Sequence, residues 1–455
     1  MSAVIESPLH ARTDARRIAL LPGGRGRAVA FGRDGAIDAT TFAAHVRALA
    51  ERLPAAPYAV NLCEDRYRFL VAFCAAAVRG QTTLLPPSRA PAAIDDVLAQ
   101  HPDAYCLGDL ALDPTPPRYL RLPEPLPALD GAPLAVEPGA LAAIGFTSGS
   151  TGRPKPNPKR WAGFVASTGQ NIAALADLLA AGAVTPLVAT VPPQHMYGME
   201  MSVLLPLLAP FAVHAAKPFF PGDVAAALRD APAPALLVTT PVHLRALVAA
   251  EVTLPALAGI VSATAPLPQE LAAAAEARFG CEVRELFGST ETCVIARRRT
   301  AHEAAWTPLP GVRLAPQPDG TAVGAPHLPE PVALADLIEL QPDGRFLLRG
   351  RNADLLEIAG KRASLGDLTR RLLAIPGVED GVVFQANAQG DGVARIVALV
   401  VAPTLSEGDV LTALRRSVDP VFLPRPLKRV GALPRNETGK LPRAALEALL
   451  HAETA

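Results

Sequence analysis

The sequence predicts an α/β protein in two parts: a large N-terminal domain of layered parallel sheets with a small β-barrel-like part, and a small α+β C-terminal domain. Three observations support this prediction. The 455 residues exceed the roughly 100–200 residues that one hydrophobic core usually serves. Apolar runs alternate with helical patterns between residues 141 and 287. This alternation gives way to short strands and turns after Thr307.

The middle of the chain predicts parallel crossovers, because short apolar strand candidates alternate with longer helical patterns. The strand candidates lie at residues 142–146, 186–191, 211–216, 235–239, 259–263 and 281–287. The helix candidates lie near 161–181, 200–208, 223–229, 242–250 and 269–279. Residues 1–130 carry similar patterns, for instance at 40–52 and 67–78, and we assign them to the same large domain.

The chain after Thr307 predicts a different architecture. Two apolar segments, 332–340 and 345–349, flank a turn sequence typical of an antiparallel hairpin, Gln341-Pro342-Asp343-Gly344. A boundary near 350–354 divides the chain into predicted domains 1–350 and 351–455. The second domain is predicted to combine helices near 365–373 and 407–418 with strands at 378–385 and 395–401.

Composition limits the kind of partner. The 43 basic and 43 acidic side chains cancel, and no block of like charge predicts binding to nucleic acid or to an anionic membrane surface. A small molecule or a modest protein patch is the expected partner. The start of the chain lacks a secretory signal pattern, and no apolar stretch reaches the ~20 residues of a membrane span. Five cysteines without a CxxC pair favour a reducing compartment, so we expect a cytoplasmic protein.

Nine residues directly after the strand candidate at 142–146 concentrate hydroxyl groups, glycines and a lysine: Thr147-Ser148-Gly149-Ser150-Thr151-Gly152-Arg153-Pro154-Lys155. Glycines let backbone N–H groups approach an anion, hydroxyls donate hydrogen bonds and lysine neutralises charge, so the segment is typical of a phosphate-binding loop. Its spacing differs from the Walker pattern G-x-x-x-x-G-K-[ST], which disfavours a phosphate-loop kinase. A flexible surface linker is the alternative. The preceding strand, and the fact that only six of the 43 basic residues are Lys, favour the phosphate loop.

This motif resembles the phosphate-binding signature of the adenylate-forming superfamily, which includes acyl-CoA synthetases, luciferases and nonribosomal peptide adenylation domains. Further segments that resemble family motifs follow in the same order, over residues 60–450. The resemblance implies the adenylate-forming enzyme fold, in which the small C-terminal domain is mobile and carries a catalytic Lys. It also implies ATP and Mg²⁺ as cofactors.

The resemblance assigns ATP-binding residues to several segments. Glu291 would coordinate Mg²⁺ together with Thr151, and Thr290 would contact the α-phosphate. Asp336 would hold both ribose hydroxyls, since an acceptor-only carboxylate suits a diol, and Arg351 would also reach the ribose. The full implied set is Thr147, Ser148, Gly149, Ser150, Thr151, Gly152, Lys155, Ala263, Thr264, Ala265, Phe287, Gly288, Ser289, Thr290, Asp336 and Arg351, with Glu291 and Thr151 as metal ligands.

The resemblance also implies an acid-binding site and three catalytic residues. The segment 192–198 resembles the family segment in which an aromatic residue or His gates the carboxylate site, and residues 433–440 resemble the carboxy-terminal signature. The Lys of that signature places a positive charge between the attacking carboxylate and the α-phosphate. The implied acid-binding residues are His195, Tyr197, Gly198, Ser262 and Gly288, and the implied catalytic residues are Lys440, Glu291 and His195.

Each of these residues taken singly has a plainer interpretation. Glu291 after a Ser-Thr pair could cap a helix, His195 could be a structural histidine, and Lys440 could be a solvated turn residue. The ordered recurrence of all the segments favours the functional interpretation. The chain also departs from the family pattern: Pro156 stands where Gly is usual, Cys293 stands where Gly is frequent, and Ala353 stands where Asp or Lys is common.

The resemblance implies an ATP-dependent ligase that forms an acyl-adenylate from a small carboxylic acid and transfers the acyl group to a pantetheine thiol. Residues 192–199 contain no Asp to pair an α-ammonium group, so an amino acid is disfavoured. Phe287, Tyr197 and His195 could enclose a flat ring. The overall pattern is similar to stand-alone ligases of aryl-polyene and xanthomonadin pigment pathways, which implies 3- or 4-hydroxybenzoate as the acid and acyl carrier protein or CoA as the acceptor. Alternatives are a fatty or short-chain acyl-CoA synthetase, a phosphate-loop kinase or ATPase, and a non-catalytic nucleotide-binding relative.

Overall fold

The computed structural model describes residues 17–147, 154–180, 182–351, 355–358, 361–386, 395–436 and 439–452. Its residues form two compact units. Unit 1 comprises residues up to His302 together with 309–311 and 326–329. Unit 2 comprises residues 303–308, 312–325 and everything from Glu330 onward. The boundary that the sequence predicts at 350/351 lies inside unit 2. Compactness alone does not locate a hinge, so that boundary remains a prediction.

The strands of unit 1 are β1 Ile18–Ala19, β2 Ala28–Gly32, β3 Gly35–Asp38, β4 Tyr58–Asn61, β5 Thr82–Leu85, β6 Tyr105–Gly108, β7 Tyr119–Arg121, β8 Ala135–Val136, β9 Leu141–Thr147, β10 Lys155–Arg160, β11 Thr185–Ala189, β12 Phe211–His214, β13 Ala235–Thr239, β14 Leu257–Ser262, β15 Val283–Ser289 and β16 Cys293–Arg298. Its helices are α1 Ala39–Ala50, α2 Arg66–Val78, α3 Pro91–Gln100, α4 Trp161–Leu175, α5 Met196–Met199, α6 Leu205–Leu208, α7 Pro221–Arg229, α8 Pro241–Ala249 and α9 Gln269–Phe279.

Two large sheets organise unit 1. The first has the order β10-β9-β5-β4-β6-β7, and the second contains the run β16-β15-β14-β13-β11-β12-β2-β3. Neighbours from β15 to β2 are parallel, as the strand–helix alternation predicts. The antiparallel strands β3, β10 and β16 were not predicted as strands from the sequence. Each pairs with the strand that precedes it in the chain. In β10, whose sequence is polar and rich in proline, this pairing stabilises a segment that has little strand pattern of its own.

The central layer lies between the two sheets. Helix α2 is buried over most of its surface and contacts β4 and β5 of one sheet and β12 of the other. A helix that is apolar on every side must be enclosed in this way. On the outer face of the second sheet, α7, α8 and α9 cover a core that includes Val224, Leu244 and Leu271. Unit 1 therefore has the layered α/β architecture that the sequence predicts.

A buried arginine links this central layer to the segment that carries His195. Arg66, at the start of α2, is fully buried, and its Nη2 donates to the carbonyls of Ala189 and Val191 at 2.9 Å each. Its Nη1 donates to Ser202. Burial lowers the pKa of Arg66 to about 10, so the side chain stays charged at neutral pH.

Replacing Arg66 by Met is expected to destabilise the protein by ~2–3 kcal/mol, because two buried carbonyls lose their donors. Urea unfolding followed by circular dichroism measures the change. Arg68→Met is the matched control in the same helix. Arg68 donates to one partly buried carbonyl, that of Pro123, and pairs with the largely exposed Glu124, so its replacement should cost less stability than that of Arg66. Equal stability of wild type and Arg66→Met would contradict this assignment.

Unit 2 contains β17 Thr307–Pro308, β18 Arg313–Gln317, β19 Gly320–Gly324, β20 Val332–Leu334, β21 Asp336–Leu340, β22 Phe346–Arg351, β23 Leu355–Ile358, β24 Lys361–Ser364, β25 Asp380–Ala386, β26 Arg395–Val401, β27 Leu427–Arg429, α10 Leu365–Leu373, α11 Glu407–Leu414 and α12 Arg443–His451. Small antiparallel sheets, β18-β19-β20 and β21-β22, form its first part. The predicted hairpin is β21-β22, closed by the turn at 341–344. Among the described residues, no helix is both long enough and apolar enough to cross a membrane.

The C-terminal part of unit 2 is built on the sheet β25-β26-β27. Leu368, Val410 and Ile396 belong to a core on one side, formed with α10 and α11. Leu446 of α12 packs with Phe384 and Val397 in a second cluster. Since successive strand residues point to opposite faces, Ile396 and Val397 contribute to different clusters. Both faces of this short sheet are thereby covered.

Candidate active site

The predicted phosphate loop joins two paired strands. Thr147 ends β9 and lies opposite Lys155, which begins β10. Thr147 is partly exposed and Lys155 is exposed. The predicted residues Ser148, Gly149, Ser150, Thr151 and Gly152 lie outside the described residues. The described ends of the hairpin therefore present a hydroxyl and an ammonium group side by side at the edge of the first sheet.

The two prolines of β10, Pro156 and Pro158, fit an edge strand. Strand β10 lies at the end of the first sheet, with Pro156 opposite Phe146 and Pro158 opposite Ile144. Alternate residues of a strand direct their N–H groups to opposite edges, so two prolines with this spacing leave only the outer edge without donors. Strand β10 can therefore pair with β9 along its inner edge. Along its outer edge the prolines offer no N–H donors, which disfavours the addition of another strand.

The turn between β15 and β16 carries the second predicted motif. Residues 283–286 are buried, whereas Phe287, Ser289, Thr290 and Glu291 are partly exposed and Gly288 is exposed. The Ser289 backbone N–H donates to the Thr292 hydroxyl at 3.1 Å, and the Thr292 N–H donates to the Ser289 hydroxyl at 3.1 Å. These reciprocal bonds close the turn and leave Thr290 and Glu291 at its tip.

Glycine is required at one position of this turn. A Cβ atom on Gly288 would lie 2.1 Å from the carbonyl oxygen of Cys293. Cys293 itself has φ +58°, in the left-handed region that L-residues other than Gly rarely adopt. Gly would adopt this conformation without strain, in keeping with the Gly that the family resemblance leads us to expect at this position. Thr264, in the predicted adenine-side segment, likewise has φ +80°.

The two predicted motifs meet in unit 1. The Thr147 hydroxyl lies 3.4 Å from Glu291 Oε1 and donates to it. A Cβ on Gly145 would lie 3.0 Å from Thr290 Cγ2, so β9 approaches the turn closely over its last residues. Residues 144 positions apart in sequence thereby place a hydroxyl and a carboxylate on one surface. Hard oxygen donors in this arrangement suit a cation that is itself bound to phosphate oxygens.

Sequence reasoning missed the residues that support this turn. Lys159 Nζ donates to the Glu291 carbonyl at 2.6 Å, and His327 Nε2 lies 2.6 Å from the Thr292 carbonyl oxygen. Glu200 Oε2 accepts from the Val294 N–H at 3.0 Å. The scarcity of Lys in the sequence was the one signal that could have indicated Lys159. His327 and Glu200 lie in segments without any motif.

Glu200 is a buried carboxyl group, and burial makes its ionisation energetically unfavourable. Burial raises the pKa of Glu200 from 4.5 to about 7, while hydrogen bonds from Asn171 and Val294 and the charge of Lys159 act in the opposite direction. The folded protein therefore holds this proton to a higher pH than the unfolded chain does. The contribution of Glu200 to stability is fully present below pH ~4.5 and is lost as the pH rises through about 7. The free energy of unfolding should therefore fall by ~3 kcal/mol over this range.

Glu200→Gln is expected to remove this pH dependence. The amide cannot ionise, and its carbonyl oxygen can still accept from Asn171 and Val294. The free energy of unfolding of the wild type should fall by ~3 kcal/mol relative to the variant between pH 4.5 and pH 8. Urea titrations at a series of pH values measure it. Parallel curves for the two proteins would contradict the assignment.

The predicted acid-site residues of the segment 192–198 are placed differently from one another. His195 is partly exposed and precedes α5. Tyr197 is buried, and its hydroxyl donates to the Val261 carbonyl at 3.0 Å. Gly198 is buried where a Cβ would lie 1.9 Å from the Pro192 carbonyl oxygen. Tyr197 and Gly198 therefore have packing roles in unit 1, and His195 is the member of the three with an accessible side chain.

Strand β14 ends at the predicted adenine-side segment. Ser262 is fully buried, and its hydroxyl has no hydrogen-bond partner among the described residues. Ala263 is buried, whereas Thr264 and Ala265 are partly exposed. Because β14 and β15 are parallel neighbours, the residues after Ser262 and those after Phe287 emerge at the same edge of the sheet. Ligands of open α/β sheets bind at this carboxyl edge.

The predicted ribose-binding residues lie together in unit 2. Asp336 begins β21 and lies directly opposite Arg351, which ends β22. The Thr321 hydroxyl donates to the Asp336 carbonyl oxygen at 2.6 Å and so fixes the start of β21. The side chain of Asp336 is partly exposed. The register of one hairpin thus brings together two residues that the resemblance assigned to one sugar.

The backbone of Lys440 is firmly held in unit 2. Its N–H donates to Asn436 Oδ1 at 2.9 Å, and its carbonyl accepts from the Asn436 N–H at 2.9 Å. Arg435 donates to Asp380 through Nε and Nη2 and to the Gly439 carbonyl through Nη1. Gly439 has φ +78°, which Gly adopts without strain. The side chain of Lys440 is exposed, while its backbone is held by two hydrogen bonds with Asn436.

Comparisons with known proteins identify a matching family and several relatives. A family model described as AMP-binding enzyme matches residues 59–339. The 4-coumarate–CoA ligase of Rhodobacter capsulatus is 33% identical over 315 residues, which span 68% of this chain and 76% of that protein. The 3-hydroxybenzoate–CoA/4-hydroxybenzoate–CoA ligase of Thauera aromatica is 30% identical over 123 residues, which span 25% of this chain and 23% of that protein.

A solved structure shows the same fold. The o-succinylbenzoate CoA synthetase of Bacillus subtilis, in complex with its acyl-adenylate intermediate, aligns with a TM-score of 0.78 at 18% identity and covers 92% of this chain and 95% of that one. The same enzyme is also known in complex with ATP and a magnesium ion. Since the family model matches more than half of the sequence, this chain belongs to the AMP-binding enzyme family, within the adenylate-forming superfamily of acid–thiol ligases.

Proposed function

We propose that this enzyme activates an aryl carboxylic acid, such as 3- or 4-hydroxybenzoate, with ATP and transfers the acyl group to a pantetheine thiol. The observation that carries the proposal is the hydrogen bond from the Thr147 hydroxyl to Glu291 Oε1, at 3.4 Å, because these two residues belong to the two predicted phosphate-site motifs. Such a surface suits the triphosphate of a nucleotide. The narrower choice of acid is supported by relatives that are named for coumarate and hydroxybenzoate.

In the first half-reaction, a carboxylate oxygen of the acid attacks the α-phosphorus of ATP in line. The bond between the α-phosphorus and the bridging oxygen breaks, and pyrophosphate leaves. Lys155 and Thr147, on the exposed ends of the hairpin, neutralise and bind the departing phosphates. Lys440 stabilises the negative charge that develops on the reacting oxygens.

The donors at the turn fit a magnesium ion bound together with ATP. The Glu291 carboxylate and the Thr147 hydroxyl are hard oxygen donors on a partly exposed surface, which is the donor type that Mg²⁺ prefers. When bound, Mg²⁺ neutralises phosphate charge. Glu291 is the described residue that would hold it.

In the second half-reaction, the thiol sulfur attacks the acyl carbon, a thioester forms and AMP leaves. We propose that the C-terminal domain, from residue 351, turns about the segment 350–354 between the two steps and withdraws Lys440. Ala353 occupies a position that is often Asp or Lys in relatives, so a charged hinge side chain is absent there. CoA and an acyl carrier protein share the pantetheine thiol, and either satisfies this chemistry.

An aryl acid is favoured over a fatty acid by the groups near the carboxyl edge of the second sheet. Phe287 and His195 are partly exposed and can contact a flat ring, while the buried Tyr197 supports the segment behind them. Residues 192–199 offer no carboxylate at the place where amino-acid-activating relatives have Asp.

Pyrophosphate release over a panel of acids tests the proposal. Benzoate, 3- and 4-hydroxybenzoate, 4-coumarate, octanoate and palmitate would each be supplied with CoA or with a phosphopantetheinylated carrier protein. Hydroxybenzoates are expected to have the highest kcat/KM with one of the two acceptors. Preferential turnover of the fatty acids would overturn the choice of an aryl acid and leave the adenylation chemistry in place.

A further inference from the structure

Three backbone groups within residues 291–294 are each hydrogen-bonded to a side chain from elsewhere in unit 1. The Glu291 carbonyl accepts from Lys159 of β10, the Thr292 carbonyl from His327, and the Val294 N–H donates to Glu200. The hydrogen bonds of Ser289 with Thr292 close the turn from within but do not fix its direction. The three outer side chains therefore determine where the tip of the turn points.

Lys159 differs from the other two because it lies on the phosphate-loop hairpin itself. It is four residues beyond Lys155 on β10, opposite Ala143 of β9. Its Nζ reaches the Glu291 carbonyl at 2.6 Å, while the hydroxyl of Thr147, at the other end of the hairpin, reaches the Glu291 carboxylate. One hairpin thus holds both the main chain and the side chain of Glu291.

We propose that Lys159 is a positioning residue for the nucleotide, which holds the Glu291 main chain so that its carboxylate lies beside Thr147 when ATP binds with its cation. This inference rests on the proposed adenylation reaction and adds a residue to the same site. Lys159 touches neither the acid nor the reacting phosphorus in this role. It acts through the Glu291 main chain, whose carbonyl accepts from the Lys159 ammonium group at 2.6 Å.

The proposal predicts a specific kinetic signature for Lys159→Met. The Met side chain has a similar length but cannot donate, so the Glu291 carbonyl loses its partner. The apparent KM for ATP at fixed free Mg²⁺ should rise about 10- to 100-fold, as is usual when a residue that orients a metal ligand is removed. The KM for the acid should stay within about twofold, because the acid site is unchanged. Lys159→Arg keeps a charged donor and should restore most of the affinity.

Arg160→Met is the matched control on the same strand. Arg160 is exposed and donates to the Gly139 carbonyl, away from the turn. It should leave both KM values unchanged. Thermal unfolding of each variant checks that the proteins are folded. Should Lys159→Met fail to fold, Lys159→Gln, which keeps an N–H donor without the charge, takes its place and should raise the KM for ATP by a smaller factor.

Direct binding separates this inference from the proposed reaction. Calorimetric titration with ATP and Mg²⁺ requires no turnover, and it should show the same loss of affinity in Lys159→Met. An unchanged dissociation constant for ATP, or a fall in kcat with both KM values intact, would overturn the positioning role. Absence of turnover by the wild type with every acid would instead contradict the proposed function, and the binding titration would still decide the role of Lys159.

Discussion

Lys440→Ala is expected to lower acid-dependent ATP–pyrophosphate exchange by about 10²- to 10³-fold, the usual effect of removing one charged group that stabilises a transition state. The Lys440 side chain is exposed, and its backbone N–H and carbonyl are both hydrogen-bonded to Asn436. Both hydrogen bonds involve only backbone atoms of residue 440, so Ala at this position can keep them while the ammonium charge is removed.

A second measurement distinguishes this role from a loss of folding. Transfer of the acyl group from a chemically prepared acyl-adenylate to the thiol should proceed in Lys440→Ala within about threefold of the wild-type rate, because that step does not use the cation. Arg443→Ala is the control, since Arg443 pairs with Glu447 on the surface of α12. Exchange by Lys440→Ala at the wild-type rate would remove Lys440 from the mechanism.

Glu291→Gln should lower kcat/KM for ATP by about 10²- to 10³-fold, because a neutral amide replaces the carboxylate expected to bind Mg²⁺. The amide has nearly the same shape, and its oxygen can still accept from Thr147. The Mg²⁺ concentration required for half-maximal exchange should rise in parallel. Titration of Mg²⁺ at saturating ATP measures this directly.

The control for Glu291→Gln is Glu137→Gln, which removes a charge from an exposed pair with Arg17 in the same unit. It should not alter the Mg²⁺ requirement. If Glu291→Gln had the wild-type Mg²⁺ requirement, the carboxylate would not be a metal ligand, and the proximity of Thr147 and Glu291 would need another explanation.

Regular apolar periodicity made most of the fold predictable. The predicted elements at 235–239, 269–279, 365–373 and 395–401 coincide with β13, α9, α10 and β26. Strand β10 could not be predicted in the same way, because its sequence Lys-Pro-Asn-Pro-Lys-Arg is polar and rich in proline. Its extended conformation depends on pairing with β9, which is a tertiary effect.

Short motifs in which polar groups are concentrated, at 147–155, 287–292 and 433–440, could be singled out from the sequence, and the structure brings the ends of the first two together at Thr147 and Glu291. The catalytic and binding roles of these motifs stay predictions. Lys159, Glu200 and His327 escaped prediction because they support the turn from separate elements, and nothing local distinguishes them from ordinary polar residues. Tyr197, by contrast, was predicted to bind the acid, but its ring is buried and its hydroxyl donates to the Val261 carbonyl. Only the packed structure distinguishes such roles.

The nucleotide products of a single reaction test the central claim most directly. Wild-type enzyme would be incubated with ATP, Mg²⁺, 4-hydroxybenzoate and CoA or carrier protein, and the phosphorus-containing products would be followed by ³¹P NMR. The adenylation mechanism predicts AMP and pyrophosphate in amounts equal to the thioester formed. Formation of ADP and orthophosphate would contradict it, because cleavage would then have occurred at the γ-phosphorus.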